Sequence, residues 1–425
     1  MQLHLTADEI ITLKKQYFYP NSMHFYKNPP HIVRGEMQYL FDDQEKRYTD
    51  FFAGVTVLNC GHSNPEILAS VKRQLETLQH TSIIYLTAPM VTLAERLAEK
   101  LPGDISKTFF CSTGTEANEG ALLLSRMHTG RKGFMAFEGG LHGRSHLTMS
   151  VTGIPMWRID PYLEEAVYFA KPFVVEDVPV DVSCEASLQS VDEILREHGH
   201  EIAACIVEPI QGNGGMNTPN QSFFKALKKR LEAYGVLLIV DEIQTGFART
   251  GSFFAIEQFE VVPDIITYAK ALGNGIPIGA FSAIPAVAAS FNKPSASTLG
   301  GNPVSCTAGI AVLDYIEKHD LCQRAKTLGE ILRKGLEALK DKYPIIKEVR
   351  GLGLMLGMAF PADGGAVIID EIIEKMKDRG FIVGKNGLHR NVLAFQPPLV
   401  VEASDINDML TALDAVIGEA ASGTF

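Results

Sequence analysis

Two side chains stand where a buried charge needs a reason. Asp241 follows Val236-Leu237-Leu238-Ile239-Val240, an apolar run that reads as a buried strand with the carboxylate at its end. Lys270 follows PDIITYA, a second run of this kind, and is the only charge in TYAKALGNGIPIGAF (residues 267–281). An isolated ammonium in such a place is costly unless it is paired, deprotonated or used covalently. If the two strands are neighbours, acid and amine share one sheet edge, the edge at which open α/β sheets bind ligands. A desolvated lysine is readied to attack a carbonyl. A Schiff-base lysine suits pyridoxal phosphate when an aspartate keeps the pyridine nitrogen protonated, so that the ring acts as an electron sink. The plainer alternatives are that Asp241 caps a loop or pairs with Arg249, and that Lys270 is a surface or salt-bridging lysine. The pair Asp241-Glu242 also resembles the acidic strand of an ATPase, but no G-x-x-x-x-G-K-[ST] loop accompanies it.

A phosphate needs a cradle. Ser112-Thr113-Gly114-Thr115-Glu116 lies between the expected strand KTFFC and a helix beginning near Glu116. Free N–H groups at a helix start, with small hydroxyls and a glycine, make an anion site. The same residues could equally be a plain cap, with Thr115 capping and Asn118 and Glu119 in the first turn. Combination with Asp241 and Lys270 favours the phosphate. His142 and His146 stand at i, i+4, a metal-ligand spacing, but no third ligand is near in sequence, so no metal is expected. GLGLMLG (351–357) lacks the spacing of a dinucleotide fingerprint.

The elements that must position these residues alternate strand and helix, which predicts an α/β fold with a mostly parallel central sheet. Strands are predicted at KTFFC, FMAFEG, AACIVEPI, VLLIVDEI and PDIITYAK, and helices at 65–79, from about 116 to 130, and at SFFKALKKRLEAYG. Glycines and Pro277 after Lys270 predict a tight loop. Residues 61–310 are read as a large domain, with a small α+β domain built from 1–60, including the hairpin-like MQYLFDDQEKRYTDF, and from 311–425. The net charge of −11 argues against nucleic acid or an anionic membrane as the main partner. No apolar run approaches the roughly 20 residues of a membrane span, and the start MQLHLTADEIITLKKQYF lacks a signal-peptide core. Six scattered cysteines without a CxxC pair point to reduced thiols and a cytoplasmic enzyme.

Read end to end, the chain resembles the class III aminotransferases of PLP fold type I. The resemblance rests on GEMQYLFDDQEKRYTDFFAGVTVLNCGHSNPEI, STGTEANEGALLLSR, LHGRS, EPIQGNGG, DEIQTGFARTG, the Lys270 loop, TLGGNPVSC and RGLGLMLG, all in the family's order. Each motif is weak alone, and the ordered series is specific. The opening is most like that of alanine–glyoxylate aminotransferase type 2 and omega-amino acid transaminase relatives. The resemblance implies that Lys270 holds the cofactor and moves the proton between the α-carbon and C4′. Asp241 would bind the pyridine nitrogen and Gln244 the 3′-oxygen. Thr113, Gly114 and Thr115 would hold the phosphate. Thr298 would reach the same phosphate from the neighbouring subunit, which makes a homodimer, or a tetramer of paired dimers, part of the expectation. Leu141 would cover the ring, with Glu208 and His142 in support.

Departures from the family bear on substrate. Most relatives carry an aromatic residue where Leu141 stands, and its stacking is worth roughly 0.5–1.5 kcal/mol. Many that use glutamate or 2-oxoglutarate pair a glutamate, at the place of Asn213, with a switchable arginine, at the place of Ala394. Losing one partner of a buried pair strands the other, so the two go as a unit. Arg144, Arg158 and Arg390 are the remaining candidates for a carboxylate clamp. The expected reaction is ping-pong transfer of an amino group from an amino acid or amine to a small 2-oxo acid, pyruvate or glyoxylate rather than 2-oxoglutarate. The alternative is another PLP reaction on the same scaffold, such as an epimerase, racemase or amino-phosphate lyase.

Overall fold

Seven strands form the central sheet of the computed structural model, which describes residues 5–21 and 24–421. Residues 1–4 of the N-terminal stretch read above lie outside the described residues. Across the sheet the order is Lys107–Cys111, Gly279–Ala283, Ile265–Tyr268, Leu237–Asp241, Ile202–Val207, Gly133–Phe137 and Val167–Ala170. All pairs from Ile265–Tyr268 onward are parallel. Parallel strands need crossovers, and the helices Gly114–Thr129, Val180–His198 and Phe223–Ala233 supply them. Covered on both faces, Ile202–Val207 and Leu237–Asp241 are buried at every position, which explains their unbroken apolar runs.

The strands that end near Asp241 and Lys270 are neighbours, with Asp241 opposite Thr267 in the register. Lys270 opens a short 3-10 turn, Lys270–Leu272, with φ at 43°. A non-glycine residue held in that left-handed region costs on the order of 1–3 kcal/mol and persists only where the surroundings enforce it. The stretch beyond it is not all loop. Gly279–Ala283 is a strand, antiparallel to both neighbours, that pairs Gly279 with Cys111. Any Cβ at Gly279 would lie 2.4 Å from the Thr113 carbonyl oxygen. The glycine therefore lets the Lys270 segment run directly against the expected phosphate loop.

The two ends of the chain meet in a second sheet. Ile32–Glu36 pairs with the hairpin Tyr39–Asp42 and Arg47–Asp50, and the latter pairs in parallel with Phe381–Ile382. A third sheet joins Glu348–Leu352, Met355–Ala359, Val392–Phe395 and Gly384–Asn386. Arg249, fully buried, fastens these parts to the segment that follows Asp241. It donates to the carbonyls of Leu354 and Pro397 and to Asn59 Oδ1, and not to Asp241. Burial pushes its guanidinium down to about 9, against the opposing pull of Asp50. No helix among the described residues is long and apolar enough to cross a membrane.

Candidate active site

Asp241 is 3% exposed and surrounded by donors. Its Oδ2 accepts from Asn118 Nδ2 at 2.8 Å and faces His142 Nδ1 at 2.8 Å, while Oδ1 accepts from the Ile243 N–H at 3.1 Å. A carboxylate has about four acceptor positions. With these three taken, one remains for a donor entering from the cavity. Asn118 is held in turn, because Thr267 Oγ1 donates to its Oδ1 at 2.6 Å and its Nδ2 also reaches the His142 carbonyl at 2.7 Å. In a helix that begins at Gly114, Asn118 lies past the first turn in which it was expected.

Lys270 lines the same cavity of about 350 Å³ and makes no ion pair among the described residues. Burial pushes its amine down to about 8, against the opposing pull of Asp241 and Glu208. Glu208, itself buried, is pushed upward by desolvation, with the neighbouring His142 working the other way. Its two oxygens accept from the N–H groups of Leu141, at 2.8 Å, and Gly212, at 3.1 Å. That pins the two loops on either side of it. Gln244 lies against Gly212 so closely that a Cβ there would be 2.6 Å from its Oε1.

The helix after KTFFC begins at Gly114, two positions earlier than its expected start at Glu116, and its cap is Thr113 rather than Thr115. Thr113 Oγ1 accepts from the Glu116 N–H at 3.1 Å, and Glu116 Oε2 accepts from the Ser112 N–H at 2.8 Å. Gly114 and Thr115 are therefore the first two helical residues, whose N–H groups have no intrahelical partner. Both line the cavity beside Ser112 and Thr113. A Cβ at Gly114 would lie 2.7 Å from Ile243 Cδ1, so the glycine permits close approach here.

Leu141 and His142 also line the cavity, as do Glu208 and Gln244. Thr298 does not. It is exposed, on the loop before Gly300. His146 diverges from His142 and faces Asp160 at 3.4 Å. Of the arginines weighed as clamps, Arg144 lines the cavity, is exposed, and makes no hydrogen bond or ion pair among the described residues. Arg158 instead donates to the carbonyls of Ser150, at 2.6 Å, and Thr152, at 2.9 Å. Arg390 lies 5.9 Å from the Phe25 ring, away from the cavity. Ala394 is fully buried among Ile210, Met216 and Met355, and Asn213 gives its carbonyl to the Gly387 N–H. Sequence reasoning missed Ile243, a second aliphatic wall beside Leu141, and Asn118. The apolar residue two places after a strand-end aspartate was an available signal for the first. No local signal marked the second.

These groups fit pyridoxal phosphate: an unpaired, desolvated amine for its aldehyde, one open acceptor on Asp241 for its ring nitrogen, and free helix-start N–H groups for its phosphate. Comparison with known proteins leads the same way. The Aminotransferase class-III model matches residues 23–417. The mitochondrial alanine–glyoxylate aminotransferase 2 homolog 2 of Arabidopsis thaliana is 38% identical over 417 residues, spanning 96% of this chain and 87% of that protein. The acetylornithine aminotransferase of Methanocaldococcus jannaschii is 35% identical over 98% of this chain and 99% of its own length. Among solved structures, a phospholyase from Arthrobacter in complex with phosphoethanolamine matches with a TM-score of 0.90 at 31% identity, over 96% of this chain and 99% of that one. With its sheet, its buried acid–amine pair and nearly its whole length accounted for, the chain belongs to the class III aminotransferases, enzymes that depend on pyridoxal phosphate.

Proposed function

We propose that this aminotransferase moves an amino group from an amino acid or amine to a small 2-oxo acid, with pyruvate or glyoxylate favoured over 2-oxoglutarate. One observation carries the preference. Arg144 is the only arginine lining the cavity among the described residues, and it is unpaired. A guanidinium fork matches one carboxylate. A second carboxylate, such as 2-oxoglutarate brings, finds no cation at Ala394, which lies in an apolar cluster.

Bound pyridoxal phosphate supplies an electron sink for the substrate's α-carbon. Lys270 is the residue to hold its aldehyde carbon and then to carry the proton between the α-carbon and C4′. Its lowered proton affinity keeps a neutral amine available near pH 8. Asp241 would face the ring nitrogen and Gln244 the 3′-oxygen, while Gly114 and Thr115, with Thr113 as their cap, hold the phosphate at the helix start. Leu141 and Ile243 give the ring aliphatic walls, and Glu208 and His142 fix the loop and the acid behind it. Donor and acceptor use this one cavity in turn, a ping-pong order. We assign Thr298 to the partner's site in a homodimer. In support, it is exposed on its own chain, and the chain also exposes the apolar side chains of Ile84, at 78%, and Leu86, at 102%, which call for cover. The six unpaired thiols suit a reducing compartment such as the cytoplasm.

The Arthrobacter phospholyase favours a second reading, elimination of phosphate from an amino-phosphate compound. Steady-state assays across acceptors separate the two. A kcat/KM for pyruvate or glyoxylate at least about tenfold above that for 2-oxoglutarate is expected, a difference of about 1.4 kcal/mol in transition-state binding. Preference for 2-oxoglutarate would overturn the acceptor assignment, and inorganic phosphate released from phosphoethanolamine would establish the second reading.

A further inference from the structure

Asn118 sits at the crossing of three elements and is fully buried. Thr267, also fully buried, donates its hydroxyl to Asn118 Oδ1 at 2.6 Å. Asp241 Oδ2 and the His142 carbonyl can only accept, so they fix the amide's orientation and leave its oxygen to the Thr267 hydroxyl, which anchors it. The NH₂ reaches Asp241 Oδ2 at 2.8 Å and the His142 carbonyl at 2.7 Å. With His142 Nδ1 on the same oxygen, Oδ2 is filled. Oδ1, held by Ile243 N–H alone, is the oxygen left with capacity.

We propose that Asn118, anchored by Thr267, is a positioning residue that determines which oxygen of Asp241 meets the ring nitrogen of the cofactor. Thr267 is the register partner of Asp241 and lies on the strand that leads into the Lys270 turn, so the strand that delivers the amine also anchors the amide that holds the acid. Without the amide, the carboxylate keeps only His142 on Oδ2 and the Ile243 N–H on Oδ1, and its turn about the Cβ–Cγ bond is less restrained. Without the Thr267 hydroxyl, Asn118 Oδ1 is buried without a partner and the amide loses the anchor that holds it against the carboxylate. The inference rests on the assignment of Asp241 to the ring nitrogen made above.

The test uses two ligands for the apoprotein: pyridoxal phosphate, and its analogue in which C–H replaces the ring nitrogen. A packing role for Asn118 would affect both alike, whereas a role through Asp241 touches only the ligand with the nitrogen. In Asn118→Ala and in the nearly isosteric Thr267→Val, the wild-type preference for pyridoxal phosphate over the analogue should fall roughly tenfold, the value of one hydrogen bond to a charged group. Affinity for the analogue should stay within about twofold. Equal losses for both ligands, or an unchanged preference, overturn the inference. Should Asn118→Ala fail to fold, Thr267→Val decides alone. A wild-type chain with no preference between the two ligands overturns the assignment of Asp241 itself, and the inference with it.

Discussion

Asp241 and Thr267 face each other across adjacent parallel strands, and Lys270 follows Thr267 after only Tyr268 and Ala269. Backbone pairing therefore sets the separation of acid and amine. Neither depends on a mobile loop for its place. Misplacement by about 1 Å can cost on the order of a hundredfold in rate, so a site built on paired strands has a functional advantage over one built on loops.

Cofactor capture by the apoprotein should follow the lowered proton affinity of Lys270. The neutral amine is the attacking form. With the folded group at about 8 rather than the ordinary 10.5, the capture rate should rise through pH 8 and level off above it. Stopped-flow mixing at a series of pH values reads this, and a midpoint near 10.5 contradicts it. Stability carries the same sign. Between about pH 8 and 10.5 the unfolded chain holds a proton that the folded chain lacks, so the penalty of burying the ammonium is complete below 8 and relieved as pH rises. Across that window the wild type should gain stability relative to Lys270→Met in denaturant unfolding.

Arg144→Gln should raise the KM for pyruvate or glyoxylate by roughly 10- to 100-fold, with a smaller change in kcat, because a carboxylate clamp acts mainly on binding. Steady-state kinetics measure the split. An unaltered KM would remove Arg144 from the substrate site.

Restoring the family's arginine at one position should fail. Ala394→Arg places an unpaired guanidinium among Ile210, Met216 and Met355, all fully buried. A loss of about 3–5 kcal/mol in stability is expected, with no gain in 2-oxoglutarate use. Urea unfolding checks the first and acceptor assays the second. A variant as stable as wild type would show that this cluster opens to water or to another charge.

Much of this site was legible before any coordinates. The runs ending at Asp241 and near Lys270 are apolar and β-branched because strands covered on both faces must be, and that pattern gave both strand and sheet edge. The helix start was misplaced because Thr113 and Thr115 both suit a cap, although Glu116 stands three residues after Thr113, the spacing of a capping box. Gly279–Ala283 read as loop, since glycines and Pro277 are strong punctuation and an antiparallel strand inside a parallel sheet leaves no signature of its own. Asn118 was one polar residue among several in a first helical turn. Its role comes from Thr267 and Asp241, which only the fold brings to it. Nor could local pattern distinguish Arg144, open to the cavity, from Arg158, held by backbone carbonyls of Ser150 and Thr152.

The site built around Lys270 is tested most directly by finding where the cofactor attaches. The protein is incubated with pyridoxal phosphate, reduced with borohydride, digested and mapped by mass spectrometry. The expected result is a single modified peptide containing Lys270, absent from Lys270→Ala. Modification at a different lysine, or an unmodified wild-type chain, would contradict it.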